Sequence, residues 1–139
     1  MLRVCLVCIF LSFAASGVLF ADPLGFVDTV GTTHTSRQHS GEVGRIIALD
    51  AFGSIHVAWM NALDDNVPPQ QRRIFYNMRT EAGEWMMPGG CLADGSSRGG
   101  YASLAVLQGG NGVISYHGNG GMSAHAQVCV DYMLSLIHI

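Results

Sequence analysis

One strand–turn–strand pattern occurs twice in this chain. Residues 44–60 read GRIIALDAFGSIHVAWM and residues 101–117 read YASLAVLQGGNGVISYH. At a fixed offset of 57 residues, Ile47 falls on Leu104, Ala48 on Ala105, Leu49 on Val106, Gly53 on Gly110, Val57 on Ile114 and Trp59 on Tyr116. In the first strand Ile47 and Leu49 point one way, Ile46 and Ala48 the other. A sheet that is apolar on both faces has to be stacked between neighbours. A period near 50 residues built from short strands marks an array of small sheets, and no segment carries a sustained 3.6-residue apolar stripe.

The rest of the chain can be assigned around these hairpins. The first strand is predicted over Arg45–Ala51, with a turn at Phe52-Gly53-Ser54. The return strand Ile55–Met60 puts Ile55, Val57 and Trp59 on one face and His56, Ala58 and Met60 on the other. Asn61–Gln71 carries paired prolines, which cannot donate to a ladder, and reads as a polar loop. A third strand is expected over Arg73–Met78 and a short fourth around Trp85-Met86-Met87, followed by a Gly/Ser-rich connector from Pro88 to Gly100. The second unit begins at Tyr101, returns through His117, and adds a third strand over Met122–Tyr132. Four antiparallel strands to a unit describe a β-propeller blade. The expected fold is therefore all-β: about two four-stranded blades of an incomplete propeller, six-bladed when closed. Residues 22–43 form a lead-in strand, 44–100 the first blade and 101–133 a partial second.

Arg3, an apolar run from Val4 to Phe13, and the small residues Ala14, Ala15, Ser16 and Gly17 have the layout of a secretory signal peptide. Val4–Phe20 spans 17 residues, short of the roughly 20 that cross a bilayer as a helix. Residues 1–21 are read as a cleaved signal, leaving no stable membrane span. The chain is expected to be secreted, periplasmic or at the cell surface. At the other end, residues 134–139 read LSLIHI, which resembles translated sequencing-adapter DNA, although a buried terminal strand reads the same way. A propeller closes with about four to eight blades, so a chain with one blade and most of a second is expected to be a fragment.

The formal net charge is −3 with no lysine, which argues against a nucleic-acid partner and makes every cation a guanidinium suited to carboxylates. Cys91 and Cys129 follow the signal. In an oxidising compartment they form one disulfide or stand as two small buried apolar groups, and both readings stay open. His34 with His39, and His117 with His125, lack the tight spacing of a zinc site. Asp64-Asp65-Asn66 lacks the alternating ligands of a calcium loop. No cofactor or metal is expected. His56 reads as a satisfied core histidine, and Trp59 and Trp85 as fillers between sheets rather than sugar platforms.

Gly44-Arg45-Ile46-Ile47-Ala48-Leu49, followed by Gly53 and an apolar return strand, resembles the first-blade segment of sialidase-like, BNR-type propellers. Thr80–Trp85 echoes their Asp-box, with Gly83 one position closer to Trp85. The pattern over Val27–Asp131 is also similar to secreted bacterial propeller proteins with an R-I…G-x-I-H-x-x-W blade. The resemblance implies that Arg45 holds a substrate carboxylate through its planar fork, although Ile47 stands where the family has proline. Read from the residues alone, Arg45 is a strand-end arginine that packs its stem and pairs with Asp50 or Asp28. Two function classes follow. One is a non-catalytic binding or structural module contacting carbohydrate or cell-surface components. The other is the N-terminal part of a sialidase-like glycosidase, which would need a tyrosine nucleophile with a carboxylate partner. No catalytic residue is assigned.

Overall fold

A computed structural model of the chain describes residues 27–35, 38, 44–62, 71–119, 123–132 and, for the backbone alone, 135–138. The signal segment, His39 and Asp64-Asp65-Asn66 lie outside these residues. Strands β1 (Ile47–Leu49), β2 (Ile55–Ala62), β3 (Arg72–Arg79) and β4 (Cys91–Leu92) make one antiparallel sheet in chain order. Strands β5 (Gly99–Val106), β6 (Gly112–Asn119) and β7 (Ala124–Tyr132) make a second, and the backbone of β8 (Ser135–His138) runs antiparallel to β7.

The hairpins turn by one device used three times. Asp50 N–H donates to the Ser54 carbonyl at 3.0 Å, Leu107 to Asn111 at 2.9 Å and Thr80 to Glu84 at 2.9 Å. In each turn the fourth residue is a glycine in the left-handed region: Gly53 at φ 85°, Gly110 at 84° and Gly83 at 90°. A side chain there costs about 1–2 kcal/mol, which accounts for the glycine that both copies of the repeat share. The Asp-box echo Thr80–Trp85 is the third of these turns.

The first sheet departs from expectation at its outer edge. Trp85 makes only an isolated bridge to Arg79, and the fourth strand is Cys91–Leu92, inside the stretch read as a connector. Pro88 has no N–H to offer a ladder. Gly89 and Gly90, at φ 75° and 80°, then swing the chain back until Cys91 lies opposite Tyr76.

The two sheets stack with β5 lying across β1, β2 and β3. Ala58, Met60, Ile74 and Tyr76 from the first sheet meet Leu104, Ile114, Tyr116 and Cys129 from the second, all buried. Because the repeat offset is odd, Ile114 and Tyr116 are the counterparts of Val57 and Trp59, which lie on the opposite face of the first sheet. The stacking is therefore head-to-tail: unlike faces meet, and the second sheet leaves its Ala105, Ser115 and His117 face exposed. The far face of the first sheet is capped by residues 27–35, which run as an extended lead-in and not as a strand. There Trp59 packs against Gly31 and Gly90 and donates Nε1–H to the Thr32 carbonyl at 3.4 Å. Trp85 donates to Asp28 Oδ2 at 2.8 Å. Neither tryptophan fills the seam between the sheets, as the sequence had suggested.

Gly112 is open so that Tyr76 can cross the seam: a Cβ at this position would lie 2.8 Å from Tyr76 Oη. Gly112→Ala is expected to lower stability by about 1–3 kcal/mol through overpacking, read as a lower denaturant midpoint. Ser115→Ala on the exposed face should stay within about 0.5 kcal/mol of the parent.

Candidate functional site

Arg45, the residue the repeat and the resemblance single out, lies just before β1 and is exposed. Its backbone carbonyl accepts the Leu104 N–H at 2.6 Å, so its main chain helps join the sheets. Its guanidinium meets neither Asp50 nor Asp28. Asp50 is taken by His56, and Asp28 by Arg79 at 3.3 Å. Arg45 is thus open to solvent, and none of the other chemistry-bearing groups described below is gathered around it.

Cys91 and Cys129 are free thiols, so the disulfide weighed from the sequence is not formed. Cys129 is fully buried in the core, and Cys91 Sγ lies 3.4 Å from the Tyr76 carbonyl. Burial, with the charges of Asp94, Cys91 and Asp131 behind it, pushes the Cys129 thiol up to about 11. Burial and the Asp131 charge also raise Cys91. The thiolate is the reactive form, so both are inert at neutral pH. Peptides carrying Cys91 and Cys129 should remain unmodified by iodoacetamide in the native protein at about pH 7. Both should be alkylated after denaturation without reductant; blocked peptides at that stage would reveal a disulfide.

A chain of buried polar groups crosses the seam. Asp50 Oδ1 accepts the Phe52 and Ser54 N–H groups, each at 2.8 Å, and so shapes the first hairpin turn. Its Oδ2 lies 3.2 Å from His56 Nε2. His56 Nδ1 is 2.6 Å from Tyr76 Oη, which in turn donates to Asp131 Oδ2 at 3.0 Å. The phenol O–H is given to Asp131, and both imidazole nitrogens have a partner, Asp50 at Nε2 and the phenol oxygen at Nδ1. His56 is thus a satisfied core histidine. The two bonds made by Tyr76 span 20 residues to His56 and 55 to Asp131, and neither has a local signal in the sequence.

Titration couples this chain to stability. Burial pulls Asp50 upward, but the bonds from Ser54, His56 and Phe52 outweigh it and hold the carboxyl below its ordinary 3.8. Burial, then the Asp131 charge and hydrogen bond, drives the Tyr76 phenol far above its ordinary range. A depressed carboxyl contributes stability above its unfolded value, lost as pH falls through the folded one. A raised phenol contributes below about pH 10, and that part is lost as pH climbs past it. Denaturant midpoints followed across pH should therefore fall at both ends. Asp50→Asn should flatten the acid limb and Tyr76→Phe the alkaline limb, and limbs unchanged in both variants would contradict the assignment.

An open cleft among the described residues lies elsewhere, at the head of β5. Pairing between β5 and β6 slips between Gly100 and Ser103, and within that bulge Tyr101 sits at φ 59°, the one non-glycine positive φ among the described residues. A bulge re-aims a side chain. Here the Tyr101 ring meets the His117 ring edge-on, with centroids 6.0 Å apart at 86°, and the Arg72 guanidinium carbon lies 5.6 Å from the Tyr101 centroid. Arg72, Arg98, Gly99, Gly100, Tyr101 and His117 line a cleft of about 130 Å³ with no carboxylate in its wall. Gly99 is required because the Asp94 carboxylate occupies the space a Cβ would take. Asp94 itself is held by Ser96 N–H at 2.7 Å and lies 3.7 Å from Arg73 Nε.

The cleft has no signature in the sequence: Arg72 falls between the polar loop that ends at Gln71 and the strand expected from Arg73, Tyr101 opens a repeat, and nothing in the spacing announces that they meet. Among the described residues there is no group of three or more His, Cys, Asp or Glu side chains able to hold a metal, and no helix long and apolar enough to cross a membrane. Comparison with protein-family profiles, with curated proteins and with solved structures returned no match.

Proposed function

We propose that the chain is a non-catalytic binding and structural module: stacked blades of an exported β-propeller that contact carbohydrate or other cell-surface components through the cleft at the head of β5. The reading rests on one division. The proton-carrying groups that are bonded into one chain, His56, Tyr76 and Asp131, are buried, whereas the cleft presents the Tyr101 ring, two guanidinium groups and His117, with no carboxylate among its described lining residues to pair with the imidazole or the phenol. A concave site with an aromatic wall and a few convergent polar groups is suited to recognition. Head-to-tail stacking of like units supports the propeller part of the reading, because each unit presents to the next the face its predecessor presented to it.

The glycosidase reading draws on Arg45, whose exposed guanidinium is available for a carboxylate. It gains nothing from Tyr76, the tyrosine that does meet a carboxylate, because that phenol is sealed from any substrate. The test is a panel of immobilised glycans. Retention without released sugar is expected, and Tyr101→Ala should weaken it by about tenfold, the loss of roughly 1.4 kcal/mol of ring contact. Released reducing sugar, abolished by Arg45→Ala, would establish the glycosidase in its place.

A further inference from the structure

We infer that the cleft at the head of β5 is an oxyanion site, taking the carboxylate, sulfate or phosphate substituent of the ligand; this rests on the reading that the cleft is the recognition site. Strand β3 carries three arginines, Arg72, Arg73 and Arg79. Arg73 lies 3.7 Å from Asp94, and Arg79 lies 3.3 Å from Asp28. Arg72 has an aromatic ring where the other two have an acid. The residue is 6% exposed, and its Nε, like that of Arg73, has no hydrogen-bond partner; what Arg73 has and Arg72 lacks, among the described residues, is a carboxylate at ion-pair range. A guanidinium so far out of water is costly unless an acceptor meets it.

The surroundings say what kind of acceptor. The Arg72 guanidinium carbon lies over the Tyr101 ring, 5.6 Å from its centroid; this cation–π contact takes up none of the fork's N–H donors, which bind planar or tetrahedral oxyanions in pairs of hydrogen bonds. Arg98 and His117 line the same cleft, His117 edge-on to the Tyr101 ring. Asp94 lies behind the Gly99 floor, with Oδ1 held by Ser96 and Oδ2 3.7 Å from Arg73 Nε, and no acid lines the cleft among the described residues, so the cleft is cationic. Its volume of about 130 Å³ admits a small oxyanion group, with the remainder of a ligand left outside. The backbone strain at Tyr101 has the same sense: non-glycine residues held at positive φ gather at ligand clamps.

Titration of the full chain with inorganic phosphate, sulfate and acetate, at ionic strength held constant with chloride, tests this by amide and guanidinium NMR. Saturable shifts confined to Arg72 Nε–H, Gly99, Gly100 and Tyr101 are expected. Arg98→Gln, at the half-exposed rim, should weaken binding by about tenfold without altering the fold, and Arg72→Gln should abolish it. Preference for acetate would point to an acidic sugar or peptide carboxylate, and preference for phosphate or sulfate to an esterified ligand. Shifts scattered over the surface, or none, would overturn the oxyanion site. Neutral oligosaccharide bound at the cleft equally well by Arg98→Gln would overturn it too while leaving the binding module standing. A cleft that responds to neither anion nor sugar would remove both.

Discussion

The Tyr76 hydroxyl is the point on which the arrangement of the two sheets depends. It belongs to β3 of the first sheet, yet its hydrogen bond goes to Asp131 on β7 of the second, and its ring fills the space that Gly112 on β6 leaves empty. A hydrogen bond to a charged group contributes about 1.5–3 kcal/mol, less than the apolar burial around it. Its role is in choosing among packings. Leucine, isoleucine and alanine faces can slide over one another with small changes in energy, whereas a shift between these sheets strips a buried phenol and a buried carboxylate of their partners. The link extends to the opposite end of the first hairpin, because His56 carries it to Asp50, whose other oxygen shapes the turn. One bonded chain thus sets turn geometry, strand facing and sheet-to-sheet position together.

Head-to-tail stacking has a consequence that a symmetric sandwich lacks. When two sheets present like faces to each other, both inner faces are satisfied and the assembly stops. Here the face carrying His56, Ala58 and Met60 meets the face carrying Ile114 and Tyr116, so one unmatched face remains at each side of the pair. The lead-in of residues 27–35 handles the first: it lays Gly31 on Trp59 and ties Asp28 to Arg79 and Trp85. The second, with Ser115, His117 and Val128 exposed, has no such cover among the described residues. This asymmetry is the geometric content of the repeat, and a heterologous contact of this kind either closes into a ring or continues.

How much of this was legible beforehand follows from what each feature depends on. The strands of the two hairpins, the facing of Ile47 against Ala48 and of Trp59 against Met60, and the glycine turns rest on period-two alternation and on backbone conformation, both local properties. They could be read from a few residues at a time. The fourth strand could not, because apolar Trp85-Met86-Met87 looks more like a strand than Cys91-Leu92. Position relative to Pro88, Gly89 and Gly90 decided the matter. The partner of Tyr76 was out of reach for a different reason: the bond spans 55 residues, and either residue alone fits a surface as well as a core. Arg45 drew attention because its counterpart in the second copy is Ala102. That difference is explained by position, since Ala102 is buried in the seam while Arg45 lies in solvent.

Local rules are broken together at only one place among the described residues. Tyr101 takes a backbone conformation that side chains avoid, the ladder between β5 and β6 slips, and Arg72 is buried without an acid. Each departure costs free energy, and none repairs another: relaxing Tyr101 would move its ring off Arg72, and moving Arg72 to solvent would leave the ring without its cation. Elsewhere among the described residues buried charges lie beside an internal partner, Asp94 beside Ser96 and, at ion-pair range, Arg73, and Asp131 beside Tyr76, although Asp94 Oδ2 and Arg73 Nε make no hydrogen bond. Real proteins tend to concentrate such violations where they act. An internal acid would quiet Arg72 as Asp28 quiets Arg79, and its absence is what leaves the fork available to a group arriving from outside.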